Sequence, residues 1–388
     1  MQSFPRGSFL SIGFLLAGWI APAALLPGPS PPRTSAAPLR TDYQSANQPI
    51  RLAFAGDVLL EASWKQPPLP PAELWDGVRA RLAEADLVVV NLEEPLTDWP
   101  QRTRLKNARS VAAGRDYVLR ATSRDAARAL RDAGVRVAAL ANNHTMDYEE
   151  QGMRDTLARL DGAGIVSVGG GENLESAERL RTVELRGIRF GFLSFSDVVP
   201  PGYQAGEGRA GIATAKDVSR MRGIITAARP DAAVLVVIFH WGVEKARTPS
   251  PRQRELAAAA QQSGADLILG AHPHVLQGVG CMGRVPVAYS AGNFIFPTSR
   301  AAARRTAIFE ITFAAGEAGA KPEVDFVRLA PALIDDRGAP QLLTGGQGNS
   351  ILNEMARLSW RLGARVEGDR IRCAGSSPQP RQRRGQRK

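Results

Sequence analysis

Every histidine in this chain, His144, His240, His272 and His274, lies just past an apolar run. Imidazole is the commonest metal ligand and the usual acid–base near neutral pH. His272 and His274 share one turn, Gly270-Ala271-His272-Pro273-His274, at the end of the apolar residues Leu267, Ile268 and Leu269. Alternation along an extended segment would send the two rings to opposite faces. The proline between them and the glycine before them predict a turn instead. The other apolar runs end in donors of the same kind: Gly56-Asp57, then Asn91-Leu92-Glu93-Glu94, then Asn142-Asn143-His144, and later His240. A mixed nitrogen and oxygen set of this type suits Mn, Fe or Zn better than Ca or Mg. Two such ions about 3.5–4 Å apart can hold both ends of a phosphoester displacement. On this reading Asp57, Glu93, Asn143, His240, His272 and His274 are ligands for one or two divalent transition-metal ions. Glu93 bridges, and Glu94 points outward to solvent. Asp147, three residues after His144, either caps the next helix or orients His144.

Such a site needs strands that stop side by side, because ligands of open α/β sheets gather beyond the carboxyl ends of strands. Apolar runs at 50–55, 86–90, 135–141, 188–195, 232–239 and 267–269 predict strands. The continuous β-branched character of 86–90 marks a strand buried on both faces. Helical spacing at 71–85, 123–133, 149–163, 215–228 and 251–263 separates them. This alternation predicts an α/β fold with helices covering a largely parallel sheet. From Val285 onward the pattern changes to strands without helices, at 285–290, 307–313 and 324–329, which predicts a second sheet packed on the first.

The 388 residues carry Lys+Arg 49 against Asp+Glu 38, a net charge of +11. Part of that excess sits in a basic tail, 375–388, where Arg381, Arg383, Arg384, Arg387 and Lys388 meet no acid and no interleaved aromatic residue. The tail reads as solvated or resting on an anionic membrane surface, and the chain as no nucleic-acid binder. Residues 1–26 read as a secretory signal peptide, with uncharged apolar residues after Arg6 and the small-residue pattern Ala21-Pro22-Ala23, or as an uncleaved anchor. Either makes the remainder exported, periplasmic or extracellular. Residues 27–48, rich in Pro, Ser and Ala, read as a flexible linker, and 49–374 as the functional domain. Cys281 and Cys373 are either a single disulfide in an oxidising compartment or two buried thiols.

Six motifs together carry a resemblance. They are Gly56-Asp57-Val58, Asn91-Leu92-Glu93-Glu94-Pro95, the stretch from Ala141 to Asp147, His240-Trp241-Gly242-Val243-Glu244, the stretch from Gly264 to Val275, and the stretch from Ser290 to Phe296. In order and spacing they resemble the poly-gamma-glutamate capsule biosynthesis (CapA-type) family of the calcineurin-like metallophosphoesterase superfamily, over about residues 50–296. The resemblance implies a four-layer αββα sandwich of the metallo-dependent phosphatase type. It implies an exported or membrane-associated protein that works with capsule synthesis or export proteins on an anionic polymer. It also makes Asp57 the first metal aspartate, Glu93 the bridging acid, Asn143 and His240 ligands, and His272 and His274 ligands for one metal each. His144 becomes the acid that protonates a leaving group. Asn293, in the turn Gly292-Asn293-Phe294, either binds substrate in the pocket or only shapes the turn. Two departures stand out. The superfamily carries a histidine two residues after the first aspartate, where this chain has Leu59; its second motif is Gly-Asp, where this chain has Leu92-Glu93. Two function classes follow: a metal-dependent phosphoester hydrolase, or a polymer-binding component of capsule assembly that uses the same pocket without turnover. An excess of positive charge suits either, since both ligands are anionic.

Overall fold

The computed structural model describes residues 48–61, 69–114, 116–314 and 321–373. The expected signal peptide or anchor at 1–26, nearly all of the linker and the basic tail lie outside the described residues. Among the described residues no helix is long and apolar enough to cross a membrane.

Two sheets dominate. The first begins with β1 (Ile50–Val58), β2 (Leu87–Leu92), β3 (Val135–Ala139) and β4 (Val166–Val168), all parallel neighbours in that order. A two-stranded pair, β5 (Gly170–Gly171) and β8 (Gly211–Ile212), stands apart. The second sheet contains β6 (Arg181–Leu185), β7 (Ile188–Ser196), β9 (Val234–His240), β10 (Leu267–Ala271), β11 (Leu276–Met282) and β12 (Val285–Ala291), ordered β11-β12-β10-β9-β7-β6. The chain then returns to the first sheet. There β13 (Asn293–Ile295) pairs with the end of β1, and β14 (Arg305–Phe313) runs antiparallel to its start. Beyond β14 lie β15 (Val324–Ile334), β16 (Pro340–Leu342), β17 (Arg365–Glu367) and β18 (Arg370–Arg372).

Side-chain alternation along these strands builds the layers. Leu52 and Phe54 of β1, Leu87 and Val89 of β2, Val234, Val236 and Ile238 of β9 and Leu267 and Leu269 of β10 meet in one core between the sheets. The opposite parity, Ala53, Ala55, Val88 and Val90, packs under helices Ala126–Asp132 and Glu149–Gly162. Leu235, Val237, Phe239 and Ile268 of the second sheet pack under helices Val218–Ala228 and Pro251–Gln262. Helix, sheet, sheet, helix is the four-layer αββα order.

Three local expectations change. The helix expected at 71–85 is a 3-10 turn, Glu73–Trp75, and one α-turn, Arg79–Leu82. Gly77 lies between them, and a Cβ there would fall 2.3 Å from Gln341 Oε1, so the chain passes too close to β16 for a continuous helix. The C-terminal part is not all strand: helix Gly345–Trp360 buries Ile351 and Met355 in the inter-sheet core. Its start, Gly345-Gly346-Gln347-Gly348, reads as loop because glycine is a poor helix former. Both sheets are mixed, because β14 and β15 in one and β6 and β11 in the other run antiparallel to their neighbours.

Cys281, at the end of β11, is joined to Cys373 by a disulfide. It closes a loop across a sequence separation of 92, worth about 4–5 kcal/mol in the chain-entropy model. The Cys281→Ser/Cys373→Ser variant should lose about that much stability in urea titrations, and reductant should have the same effect on the native chain. Superimposable oxidised and reduced curves would show the bridge contributes nothing.

Candidate metal centre

Parallel neighbours end together, and here the ends of both sheets converge. Asp57 in β1 is in register with Asn91 in β2 and with Asn293 in β13, and Ala271 in β10 is in register with His240 in β9. The two sheets touch at this end. The Asp57 amide donates to Gly292 O (2.9 Å), and a Cβ on Gly56 would fall 2.0 Å from that same oxygen, so only glycine fits before Asp57.

The convergence yields two ligand triads. Glu93, His240 and His272 offer ligand atoms within 4.8 Å of one another, and so do Asp57, Glu93 and His274. Glu93 belongs to both. His240 Nε2 also donates to Asn143 Oδ1 (2.6 Å), which brings Asn143 beside the first triad. The six expected ligands therefore meet in one place.

Other residues fix their orientation. Asn91 Nδ2 donates to Asp57 Oδ1 (2.9 Å) and approaches His240 Nδ1 (3.3 Å). His274 Nδ1 donates to Asn293 Oδ1 (2.8 Å) and lies 3.2 Å from Asp57 Oδ2. Asn293 Nδ2 in turn donates to Ala303 O (3.2 Å). Its amide is engaged at both ends, so Asn293 orients His274, and the same residue lines the pocket beside that ring. The His-Pro-His turn works because both histidines are left-handed, with φ of 96° at His272 and 57° at His274. Non-glycine residues held there store about 1–3 kcal/mol each, which the surrounding fold must offset.

The electrostatics favour a cation. Glu93 is fully buried, and neither of its oxygens has a hydrogen-bond partner; the same holds for His272 Nδ1. A buried carboxylate without donors is costly unless an ion or a charge compensates it. Burial and then the charge of Asp57 push the Glu93 carboxyl well above the usual range. Burial, with His274 close by, takes His272 down to about 3, and burial takes His240 well below its ordinary value. Burial works against a charge on His274 too, but Glu93 and Asp57 outweigh it and lift that ring to about 10. A proton on His274 thus occupies the place of a cation. The donor set, the orphaned oxygens and the neutral rings fit one or two divalent transition ions.

His144 stands beside the ligands and makes a separate set of contacts. Its Nδ1 donates to Asp147 Oδ2 (2.8 Å), so Asp147 orients this ring and does not cap the following helix. Burial holds His144 below its usual value despite that carboxylate. His144 and His274 line an open pocket of about 470 Å³ whose walls include Tyr117, Lys245, Phe296 and Arg300.

Glu94 corrects the expectation of an outward side chain. It is fully buried and accepts from the amides of Leu60 and Glu61, because the turn after β1 offers two donors that water does not reach. Leu59 packs with Leu119 and Phe296. The sequence reading assigned no role to Asn91, Lys106 or Tyr203. Asn91 lies inside a quoted motif and was open to discovery there; Lys106 and Tyr203 come from loops whose sequence carries no periodic or spacing signal.

A family model described as bacterial capsule synthesis protein PGA_cap matches residues 51–298. The chain is 34% identical over 227 residues to the PGA biosynthesis protein CapA of Bacillus subtilis, covering 58% of this chain and 57% of that one. It is 29% identical over 255 residues to the capsule biosynthesis protein CapA of Bacillus anthracis, covering 64% and 60%. The chain thus matches less than two thirds of the length of these relatives. Among solved structures it is similar to Haemophilus influenzae NAD nucleotidase, at 12% identity and a TM-score of 0.41, over 80% of this chain and 56% of that one.

Ligation requires His274 to lose its proton. Since that proton leaves only near pH 10, Mn or Zn affinity should rise by about tenfold per pH unit between pH 6 and 8. Calorimetry in two buffers of different ionisation heat should show proton release on binding. Affinity that is flat with pH would contradict this charge arrangement.

Proposed function

Because the chain belongs to the bacterial capsule synthesis protein family, we propose that it serves the synthesis or export of a poly-gamma-glutamate-like anionic polymer as a metal-dependent phosphoesterase. The observation that carries this reading is Glu93, one buried carboxylate with no hydrogen bond to either oxygen, shared by two ligand triads. Asp57, Glu93 and His274 would hold one ion, and Glu93, His240, His272 and Asn143 the other. When bound, such ions polarise a phosphoryl oxygen and make water acidic enough to attack near neutral pH.

The chain's own residues supply the rest. Asn91 keeps the Asp57 carboxylate and the His240 ring in place. Asn293 aims His274. His144, with Nδ1–H given to Asp147, keeps Nε2 for the pocket; once Nε2 also takes up a proton, the ring would hand that proton to the leaving oxygen and return to its Nδ1-protonated form. Lys245 and Arg300 give the pocket wall two cations to meet an anionic substrate, beside the acids Glu244 and Asp336 of the same wall. The Cys281–Cys373 disulfide supports an exported location, since such bridges persist in oxidising compartments.

One observation favours a second reading, a polymer-binding or export component without turnover. Leu59 is buried in an apolar cluster where the superfamily supplies a further histidine, which leaves the Asp57 triad with a single imidazole. A phosphoester panel separates the two readings. The hydrolase reading expects turnover with Mn or Zn, a kcat about 100-fold lower in His144→Ala at unchanged metal content, and lost metal in His272→Ala. A metal-loaded native chain that binds the polymer and cleaves no phosphoester would establish the second.

A further inference from the structure

Asp147 is a buried carboxylate with four donors. Its Oδ1 accepts from Tyr203 Oη (2.7 Å) and lies 2.6 Å from Lys106 Nζ; its Oδ2 accepts from the Leu119 amide (2.7 Å) and from His144 Nδ1 (2.8 Å). Lys106 brings an ammonium into this group, with a side chain only 3% exposed. Its ammonium also donates to Tyr117 O (2.7 Å) and sits 3.0 Å from His144 Nδ1. Burying a Lys-Asp-His-Tyr network confers little stability compared with an apolar replacement of similar volume. Its value lies in the geometry it holds, because fully satisfied networks are rigid. Here one end of the network is the ring that lines the pocket.

The same lysine ties down a long excursion of the chain. Residues 97–114 and 116–121 belong to an excursion closed by the isolated Leu96–Ala121 bridge. The loop is fastened to the His144–Asp147 turn at three points: the Thr103 amide to Asp147 O (2.8 Å), the Leu119 amide to Asp147 Oδ2, and Lys106 Nζ to Asp147 Oδ1, while Lys106 to Tyr117 O ties the loop to itself. Tyr117 and Leu119, so fastened, line the pocket together with His144, His274 and Arg300.

We propose that Lys106 is a positioning residue for the reaction at this site: its ammonium holds Asp147, and through it the His144 ring and the 97–121 wall, in one fixed arrangement against the pocket. The proposal rests on the hydrolase reading for its kinetic consequence and on nothing but the fold for its structural one. Lys106 touches neither substrate nor metal ligand; it acts by fixing which nitrogen of His144 is turned inward.

The test uses full-length protein with ¹⁵N-labelled histidine, which is tractable because the chain has four histidines. In the native chain His144 should show one tautomer, protonated at Nδ1. In Lys106→Met it should lose that single state, and amide exchange across residues 99–121 should rise. Where a phosphoester is turned over, kcat should fall by about tenfold or more, with KM and metal content unchanged. Should Lys106→Met fail to fold, Lys106→Gln removes the charge while leaving Asp147 in place, and should show the same loss of the single His144 tautomer. A variant that keeps the native His144 spectrum, exchange pattern and kcat, and loses only thermal stability, overturns the proposal. If the native chain turns over no substrate, the hydrolase reading fails alone, and the His144 spectrum still decides the role of Lys106.

Discussion

A carboxylate buried without a hydrogen-bond donor is the constraint on which this site depends. Glu93 leaves the end of β2 with neither oxygen hydrogen-bonded, its Oε1 3.5 Å from His240 Nε2 and 3.7 Å from His274 Nε2, and the fold surrounds it with three imidazoles and a second acid. In a protein interior an uncompensated charge of this kind is lost to protonation or matched by an ion. The raised Glu93 and the protonated His274 are the first outcome; the geometry of two triads sharing one acid is suited to the second.

Holding that cluster together has structural costs that are visible around it. His272 and His274 both occupy left-handed backbone, Gly56 is pressed against Gly292 O, and Asn91 and Asn293 use their amides on ligands rather than on solvent. These positions gain little for folding by themselves. They are affordable because the core between the sheets is continuous and because helix Gly345–Trp360 and the disulfide secure its open side. Rigid strand ends therefore set the ligands, while loops carry the pocket walls.

Much of this was legible in the sequence, for definite reasons. Apolar runs that end in Asp, Asn or His give away strand termini, so Asp57, Glu93, Asn143, His240, His272 and His274 were expected from pattern and type, and the fold brings them together. The layers followed from the resemblance, and alternation along β1 and β9 accounts for them. What escaped was decided by tertiary contact. Glu94 looked solvated because a sequence does not show that the Leu60 and Glu61 amides wait for it. Asn293 offered either a ligand contact or a turn, and tertiary contact adds His274 and Ala303 as its partners. The glycine-rich start of helix Gly345–Trp360 hid a helix that packing stabilises, and Gly77 broke one that spacing had favoured. Lys106, in a loop with no periodicity, acquires its meaning only from the carboxylate it meets.

The most direct test of the account is where a metal sits. Crystals soaked in Mn and measured at an anomalous wavelength should show a peak about 2.0–2.2 Å from a Glu93 oxygen, with imidazoles from the same cluster completing the coordination. Ions bound elsewhere, or a peak at this end of the sheets that Glu93 does not touch, would contradict the central place given to that carboxylate.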